Sequence, residues 1–487
     1  MNAVVVLMRG FGTSDWHQPD QNVLARCVAL VNAEYNRSIT RCFEYVTQLH
    51  RAAEVTVGAS IEKVETVSRH ILTLCETHPR WGIFHSLPTF PDTPDHRNVT
   101  ALVTGATGLS GYHMVKVLSA SPQRWSKIYC LSSRSPPPNF FSDLGEGASR
   151  VEHLAVDFLD KPSHIAQHLK KIEHTGDHIF YFSYKQPPPK GDVLDLWAIA
   201  DELAAVNVTL FSNFIDALRQ TSLKPRRFML QTGSKHYGFY LGPAVLPAFE
   251  SDPRVQLDRN LYYEQEDALA CYCQSVGAAW NLVRPSYIVG AVRDRTLNHL
   301  IGFGIYAAIQ AYLDQPMVFP GDYHAWDREQ CLVLTENTAN EAFNIHDGLS
   351  FTWGRLWPML AQWYNAEWCP PEEDEEKYRV MKLPYPTTPR GYGPQTTLRS
   401  TYTLLEWSLQ PHHGLVLNPF GDRYRARIFS FSDSAVIGDA PMTTSVRKAR
   451  QFGFFGTVDS YRAIFEALQE LARLGLIPPP VVGEFKG

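Results

Sequence analysis

Two short stretches of the chain carry a lysine and a pair of tyrosines that suit hydride-transfer chemistry. Lys235 lies in residues 230–238, directly after a predicted strand, and Tyr262 and Tyr263 lie in residues 260–267, where the next predicted helix begins. A phenol can donate a hydrogen bond or a proton to a substrate carbonyl oxygen while negative charge grows there. A nearby ammonium group lowers the pKa of the phenol and stabilises the developing anion. The pattern therefore predicts a reductase centre.

A glycine-rich segment predicts the dinucleotide site that such a reaction needs. Residues 101–111, Ala-Leu-Val-Thr-Gly-Ala-Thr-Gly-Leu-Ser-Gly, have the spacing G-x-x-G-x-x-G between a strand and a helix. The first glycine allows a tight turn, the second lets the backbone approach a pyrophosphate, and the third lets the helix pack on the strand. The helix N-terminus then offers N–H groups and a positive dipole end to the phosphates. The predicted cofactor contacts here are Gly105, Thr107, Gly108, Leu109 and Gly111.

The end of the second predicted strand distinguishes between NADP and NAD. An NAD site usually has an Asp or Glu there, which binds the ribose 2′-hydroxyl. This strand ends without a carboxylate, and Ser132, Ser133 and Arg134 can donate hydrogen bonds and positive charge to a 2′-phosphate. We therefore predict NADPH, with a merely solvated arginine as the alternative. Asp157, which ends the third strand, is predicted to accept a hydrogen bond from the adenine amino group, although a capping role fits it nearly as well.

The elements that must position these residues alternate between strand and helix. Predicted strands cover residues 98–103, 126–131, 151–156, 178–183, 227–231 and 280–283, and predicted helices cover residues 112–118, 194–218 and 263–275. This alternation predicts an α/β fold, a Rossmann-type doubly wound parallel sheet with right-handed crossovers.

The pattern loosens after residue 290, where a smaller C-terminal substrate-binding domain is predicted. Proline-rich segments separate helices at 300–313, 356–364 and 461–474 and short strands at 317–319 and 342–345. Because ligands of open α/β sheets lie at the carboxyl ends of the strands, such a domain forms the other wall of the site. The predicted domains are an N-terminal extension of unknown role (1–80), an NAD(P)-binding domain (81–290) and a substrate domain (291–487) partly interleaved with the sheet.

Composition excludes several other classes of protein. The 487 residues are 44% hydrophobic and 20% charged, as in globular proteins, and a net charge of −5 without a basic block gives no support for nucleic-acid binding. The eight cysteines show no zinc spacing, so no metal site is predicted. We find neither a targeting segment nor a membrane span, and we predict a cytoplasmic protein that binds a small apolar molecule. A homodimer is left open.

Beyond these patterns, the sequence resembles a known family. Gln-Thr-Gly-Ser-Lys-His-Tyr (231–237) and Asn-Leu-Tyr-Tyr-Glu-Gln-Glu-Asp (260–267) closely resemble motifs of the progesterone 5β-reductase/iridoid synthase family of atypical extended short-chain dehydrogenases/reductases. The resemblance spans roughly residues 81–479 and is strongest to the fungal branch. It also includes the segments 284–290, 305–308, 319–321, 325–327 and 340–344.

The resemblance implies NADPH-dependent 1,4-reduction of an activated C=C bond, as in an enone or enal. Carried over residue by residue, it makes Lys235 the catalytic lysine and Tyr263 the catalytic tyrosine. It adds Pro285 and Ile288 to the cofactor contacts. Phe431 matches a segment that carries a lid aromatic, and Trp326 lies with Phe431 and Tyr287 around the expected cleft. These aromatic residues suggest an apolar substrate, but core packing explains them about as well.

Two features set this chain apart from an ordinary alcohol dehydrogenase. In the register of the common Tyr-x-x-x-Lys helix, Tyr263 is followed by Asp267 at the lysine position, so the cation comes from Lys235. Gly233 stands where the triad usually has a serine or threonine.

Two further functions remain open on the same fold. The segment between residues 327 and 340 is shorter than the family's usual sequence, and residues 411–418 also look shortened. A non-redox enzyme of the isomerase, cyclase or epimerase type that uses a bound cofactor is the first alternative. An NADPH-binding pseudo-enzyme that serves as a partner or sensor is the second.

Overall fold

The computed structural model describes most of the chain from residue 84 onwards. The described residues are 84–85, 94–172, 176–187, 200–241, 244–293, 298–331, 341–348, 350–382, 397–400, 428–429, 431–433, 435–436 and 442–485. All belong to the second of the two units into which the chain divides, Pro79–Gly487. The predicted N-terminal extension and both shortened segments, except for residues 327–331, lie outside the described residues.

A seven-stranded parallel sheet forms the centre of the described structure. Its strands are β1 (Val99–Thr104), β2 (Trp125–Ser132), β3 (Val151–Ala155), β4 (His178–Tyr181), β5 (Arg227–Gln231), β6 (Ala279–Pro285) and β7 (Glu341–Ile345). They pair in the order β3-β2-β1-β4-β5-β6-β7, and every pair is parallel. Because the strand order reverses between β1 and β4, a ligand crevice is expected at the carboxyl ends of these two strands. The predicted Rossmann-type fold is confirmed.

Helices cover both faces of the sheet and build the C-terminal part. They are α1 (Leu109–Ser119), α2 (Pro162–Leu169), α3 (Ala200–Leu218), α4 (Leu261–Val276), α5 (His299–Tyr312), α6 (Tyr323–Asp327), α7 (Trp353–Tyr364), α8 (Arg447–Gln451) and α9 (Ser460–Arg473). Short 3-10 helices lie at Pro94–His96, Ser142–Arg150, Ser234–Tyr237, Phe239–Leu241 and Glu375–Lys377.

Four pairs of short strands complete the secondary structure of the described residues. Phe84–His85 pairs with Thr457–Val458, Ser350–Phe351 with Gln330–Cys331, and Arg379–Lys382 with Thr397–Ser400, all antiparallel. Trp368–Cys369 pairs in parallel with Met317–Val318.

Burial on both faces explains why β1 is continuously apolar or small. All six of its residues are buried, with Leu102 in the core on one face and Ala101 and Val103 in the core on the other. Its two threonines are hydrogen-bonded: the Thr100 hydroxyl donates to Asp177 Oδ2 at 2.9 Å, and Thr104 Oγ1 accepts from the backbone N–H of Phe182 at 3.1 Å. These bonds fix the register of β1 against β4.

Residues after 290 contribute to two separate cores. One core is an apolar cluster between helices α5, α7 and α9, separate from the clusters on the two faces of the sheet; it includes the fully buried Tyr306, Trp357 and Leu468. Residues 341–345, of which 342–345 were predicted as a short strand of the C-terminal part, form β7 of the main sheet beside β6. The pairing is non-local, so the sequence pattern predicted the strand but not its partner.

Among the described residues, no helix combines the length and apolarity that a membrane crossing requires. Location in the cell and a homodimer stay predictions.

Candidate active site

The turn between β1 and α1 leaves no room for a side chain at Gly105 or Gly111. Gly105 has a φ of +61°, and a Cβ there would lie 2.8 Å from the carbonyl carbon of Phe182, just beyond β4. A Cβ on Gly111 would lie 2.7 Å from the carbonyl carbon of Gly105. Gly108 is the N-cap of α1 and has no side chain to bind the N–H groups of the first helical turn. Close backbone approach therefore requires glycine at 105 and 111, and at Gly108 a Cβ would lie 3.1 Å from the carbonyl oxygen of Gly105.

This turn fits the pyrophosphate of a dinucleotide. It lies at the carboxyl ends of β1 and β4, where the strand order reverses, and the N-terminus of α1 opens there without a side-chain cap. Thr107 is buried within the turn. Leu109 contacts the segment that follows β6, because a Cβ on Gly290 would lie 3.0 Å from Leu109 Cδ1. Pro285 ends β6 and Ile288 lies in the segment that follows it. The structure therefore brings Pro285 and Ile288, both predicted cofactor contacts, towards the start of α1.

At the end of β2, the predicted 2′-phosphate residues divide into two groups. The Ser132 hydroxyl is buried; it donates to the backbone oxygen of Arg134 at 2.8 Å and lies 2.9 Å from His153 Nε2, so it shapes the turn. Ser133 and Arg134 are exposed and remain the residues that can meet a phosphate. Asp157 is also exposed, and its Oδ1 accepts from the Leu159 N–H at 2.9 Å, which is the capping contact.

Lys235 lies in a tight turn, Ser234–Tyr237, between β5 and α4. The backbone oxygen of Lys235 accepts a hydrogen bond from Asn260 Nδ2 at 3.1 Å, and Asn260 Oδ1 caps α4 by accepting from the Tyr262 N–H at 3.1 Å. Burial lowers the pKa of Lys235 to about 8, against the opposing effect of nearby Asp258. The ammonium group is thus mostly charged at neutral pH but titrates within reach of it.

The two adjacent tyrosines have different surroundings. The Tyr263 hydroxyl is buried, donates to the backbone oxygen of His236 at 2.6 Å and accepts from the Val255 N–H at 2.8 Å. The Tyr262 hydroxyl lies instead against Gly233, where a Cβ would be 3.0 Å from its oxygen. Burial raises the pKa of Tyr262 to about 12.

The family resemblance implies a catalytic role for Tyr263, and in the structure its hydroxyl binds the backbone of two loops. Tyr262 is the phenol beside Gly233, the position at which the common triad carries a serine or threonine. The side chains of adjacent residues on a helix point about 100° apart, so only one of the two tyrosines can face Gly233. The Tyr-x-x-x-Lys spacing does not show which one, because it does not show where the helix begins. The Asn260 N-cap is the signal that fixes this direction, because it sets where α4 begins.

An aromatic wall lies near the carboxyl end of β6. The ring of His299 is stacked on Phe431, with centroids 4.2 Å apart, and meets Tyr287 edge-on at 4.8 Å. His299 Nδ1 lies 2.8 Å from the backbone oxygen of Phe431 and donates to it, while burial lowers the pKa of His299 to about 4 and keeps the ring neutral. Through His299, Phe431 therefore lies near Tyr287, two residues after β6 ends and next to Ile288 in the chain. His299 was missed, because its role depends on a contact 132 residues away.

Trp326 is partly buried and packs against the C-terminal core. Its ring packs against Phe319 with centroids 5.0 Å apart and is stacked on Trp368 at 5.9 Å. A Cβ on Gly354 would lie 2.7 Å from Trp326 Nε1. These are the contacts of core packing, the alternative that the sequence left open.

Comparison with known proteins identifies the family, although no protein-family model matches the chain. Short chain dehydrogenase gsfE of Penicillium aethiopicum is 30% identical over 406 residues, which are 78% of this chain and 99% of the relative. The (S)-8-oxocitronellyl enol synthase of Antirrhinum majus is 27% identical over 300 residues, 56% of this chain and 71% of the relative. The 3-oxo-Delta(4,5)-steroid 5-beta-reductase of Arabidopsis thaliana is 27% identical over 288 residues, 55% of this chain and 69% of the relative. The chain belongs to the progesterone 5β-reductase/iridoid synthase-like family of short-chain dehydrogenases/reductases.

Solved structures that resemble this short-chain dehydrogenase/reductase are more distant. WbmG of Bordetella bronchiseptica in complex with NAD is 13% identical, with a TM-score of 0.48 over 80% of this chain and 98% of that chain. MoeE5 in complex with UDP-glucose and NAD is 16% identical, with a TM-score of 0.48 over 77% of this chain and 99% of that chain. The fold assignment rests on the strand order described above.

Replacing Gly105 by alanine is expected to abolish dinucleotide binding. The methyl group would meet Phe182 at 2.8 Å, and a φ of +61° strains any residue other than glycine by about 1–2 kcal/mol. Gly145→Ala is the matched control, because Gly145 has a φ of +56° but a Cβ there meets no atom within 4 Å. Both variants should unfold at lower temperature, and only Gly105→Ala should lose NADPH binding by calorimetric titration. Wild-type affinity in Gly105→Ala would contradict the proposed pyrophosphate cradle.

Replacing Arg134 by alanine is expected to weaken NADPH binding by about 1.5–3 kcal/mol, the range for one hydrogen bond to a charged group. The physical reason is the loss of the exposed guanidinium at the end of β2. NADH, which lacks the 2′-phosphate, serves as the control ligand and should bind both proteins equally. Equal affinities of the wild type for NADH and NADPH would rule out Arg134 as a contact of the 2′-phosphate.

Proposed function

We propose that this protein reduces the activated C=C bond of a small apolar enone or enal, with NADPH as the hydride donor. The observation that carries the proposal is the Tyr262 hydroxyl beside Gly233, which lies two residues before Lys235 in the chain. These groups follow β5, and the glycine cradle lies at β1 and β4. Neighbouring strands are about 4.8 Å apart, so the two places are separated by a distance that an extended dinucleotide can span.

The glycine turn is suited to hold the pyrophosphate of NADPH, and Ser133 and Arg134 are suited to hold its 2′-phosphate. The segment of Pro285 and Ile288 is suited to contact the opposite, nicotinamide end of the cofactor. When bound, NADPH supplies a hydride to the β-carbon of the unsaturated carbonyl compound. The π electrons of the C=C bond then move towards the carbonyl oxygen, which becomes an enolate oxygen.

Tyr262 and Lys235 act on this oxygen as its charge develops. The Tyr262 hydroxyl donates a hydrogen bond to the oxygen, and the Lys235 ammonium group stabilises both the anion and the polarised phenol. The burial that raises the pKa of Tyr262 to about 12 keeps the phenol protonated and therefore able to donate.

Gly233 supports C=C reduction rather than alcohol formation. An alcohol product requires full transfer of a proton to oxygen, for which a hydroxyl relay beside the tyrosine is useful. An enolate can instead take its proton at the α-carbon from water. Gly233 supplies no hydroxyl, which agrees with a reaction that needs no full proton transfer to the carbonyl oxygen.

The wall formed by Tyr287, His299 and Phe431 supports an apolar substrate. Both titratable rings of the wall are neutral at pH 7, because burial lowers the pKa of His299 to about 4 and raises the pKa of Tyr287. The names of two relatives, an 8-oxocitronellyl enol synthase and a 3-oxo-Delta(4,5)-steroid reductase, indicate unsaturated carbonyl compounds. We extend that substrate class to this chain.

Removing the Tyr262 hydroxyl is expected to lower kcat about 10²–10³-fold, the usual effect of losing one oxyanion donor, with a smaller change in KM. Tyr262→Phe, Lys235→Met and, as the matched control, Tyr263→Phe are assayed for NADPH-dependent reduction of small enals, enones and steroid enones. NADPH affinity is measured separately and should stay unchanged in Tyr262→Phe.

The same assay separates the other functions. If Tyr263→Phe loses activity by the larger factor while Tyr262→Phe stays active, the catalytic role moves back by one residue. Turnover without net NADPH use indicates an isomerase or cyclase. NADPH binding without any turnover indicates a pseudo-enzyme.

A further inference from the structure

A buried ion cluster lies directly behind the turn that carries Lys235. Glu266 is 7% exposed, and its Oε1 lies 3.2 Å from His236 Nδ1 and 3.2 Å from Arg284 Nη2. Its Oε2 lies 3.3 Å from Arg254 Nη2. The partners come from three places: the Lys235 turn, strand β6 and the loop before α4. One carboxylate thus joins the catalytic turn to the sheet.

The position of Glu266 in the sequence is unusual for a helix that opens with a catalytic tyrosine. Counted from Tyr262, the residue four places on is Glu266, so an acid stands where the common Tyr-x-x-x-Lys pattern has its cation. The neighbouring Asp267, which takes that place when the count starts from Tyr263, has a side chain that is 68% exposed and binds Arg254 at 2.7 Å. Glu266 is the buried member of this acidic pair.

The cluster holds both residues that follow Lys235. His236 is 2% exposed; its ring lies against Glu266 and meets the Tyr263 ring edge-on at 5.0 Å, while the Tyr263 hydroxyl binds its backbone oxygen. The next residue, Tyr237, donates its hydroxyl proton to Asn344 Oδ1 at 2.5 Å and accepts from Arg284 Nη1 at 3.4 Å. The path from Glu266 to the Lys235 backbone is therefore short and fully buried.

We propose that Glu266 is a positioning residue that, through His236 and Arg284, holds the Lys235 turn in place beside Tyr262. This inference rests on the proposed function, because it gives the turn a catalytic purpose. Glu266 touches neither of the expected reacting groups and acts through the turn alone.

The charges around Glu266 favour a permanent contact rather than a pH switch. Burial raises the pKa of its carboxyl group, but the contacts with His236, Arg284 and Arg254 outweigh burial, and the net pKa is lowered. Tyr263 is the remaining titratable group that faces it, and burial raises the pKa of that phenol. Burial likewise lowers the pKa of His236. The carboxylate therefore stays ionised at neutral pH and keeps its arginine partners.

The test compares Glu266→Gln with Asp267→Asn, the matched control on the exposed neighbour that also binds Arg254. Two quantities are measured: steady-state kcat, KM and NADPH affinity, and the pH dependence of acetylation of Lys235 by acetic anhydride, followed by mass spectrometry. The second quantity reports the environment of the lysine without any substrate.

In Glu266→Gln, we expect kcat per folded molecule to fall about 10–10²-fold, as expected for a misplaced catalytic group, with little change in NADPH affinity. The midpoint of Lys235 acetylation should rise from about 8, because a loosened turn exposes the lysine to water and removes the cause of its lowered pKa. Asp267→Asn should match the wild type in both measurements.

His236→Gln covers the case in which Glu266→Gln does not fold, because it removes the imidazole contact while the Glu266–Arg284 pair remains. It should shift the acetylation midpoint in the same direction by a smaller amount. An unchanged midpoint and unchanged kcat per folded molecule in the variants that fold would overturn the positioning role. If the wild type reduces no enone, the proposed function fails, whereas the acetylation midpoints still decide whether Glu266 positions the turn.

Discussion

Asn260 makes the pair of hydrogen bonds that joins the Lys235 turn to the start of α4, where the proposed catalytic tyrosine lies. Its Nδ2 donates to the backbone oxygen of Lys235, and its Oδ1 caps α4 at the Tyr262 N–H. One side chain therefore fixes the lysine turn after β5 and the direction of the first helical turn after it. Tyr263 adds a second tie between the same elements through the backbone oxygen of His236. These bonds hold the Lys235 turn against the first turn of α4, which carries Tyr262 27 residues later in the sequence.

The remaining parts of the site are supplied by the ends of parallel strands. The glycine turn follows β1 and packs against the residues after β4, Lys235 follows β5, and the aromatic wall follows β6. A parallel sheet brings all of its carboxyl ends to one edge, so residues far apart in sequence meet there without any special connection. The C-terminal residues then provide Phe431 as the outer wall and, through β7, widen the sheet on the side of β6.

The sequence predicted most of what local patterns determine. The strands β1–β6 and the glycine turn follow from apolar runs and from spacing, and Lys235 follows from a short motif. From the motif we predicted the catalytic role for Tyr263, and from the contacts we propose Tyr262, because the direction of each side chain depends on where the Asn260 cap begins α4. The sequence could not pair β7 with β6 or stack Phe431 on His299, since both contacts are non-local. Ser132 and Asp157 were selected by position, but the structure gives their side chains local bonds within the turns.

The most direct test of the account is the destination of the hydride. Cyclohexenone or a small enal is incubated with the wild-type protein and NADPH deuterated at C4 of the nicotinamide, in the diastereomer that transfers its label, and the product is analysed by NMR. The account predicts a saturated carbonyl compound with one deuterium on the β-carbon and none on the carbonyl carbon. Deuterium on a carbinol carbon, or a rearranged product that carries no deuterium, would contradict 1,4-reduction.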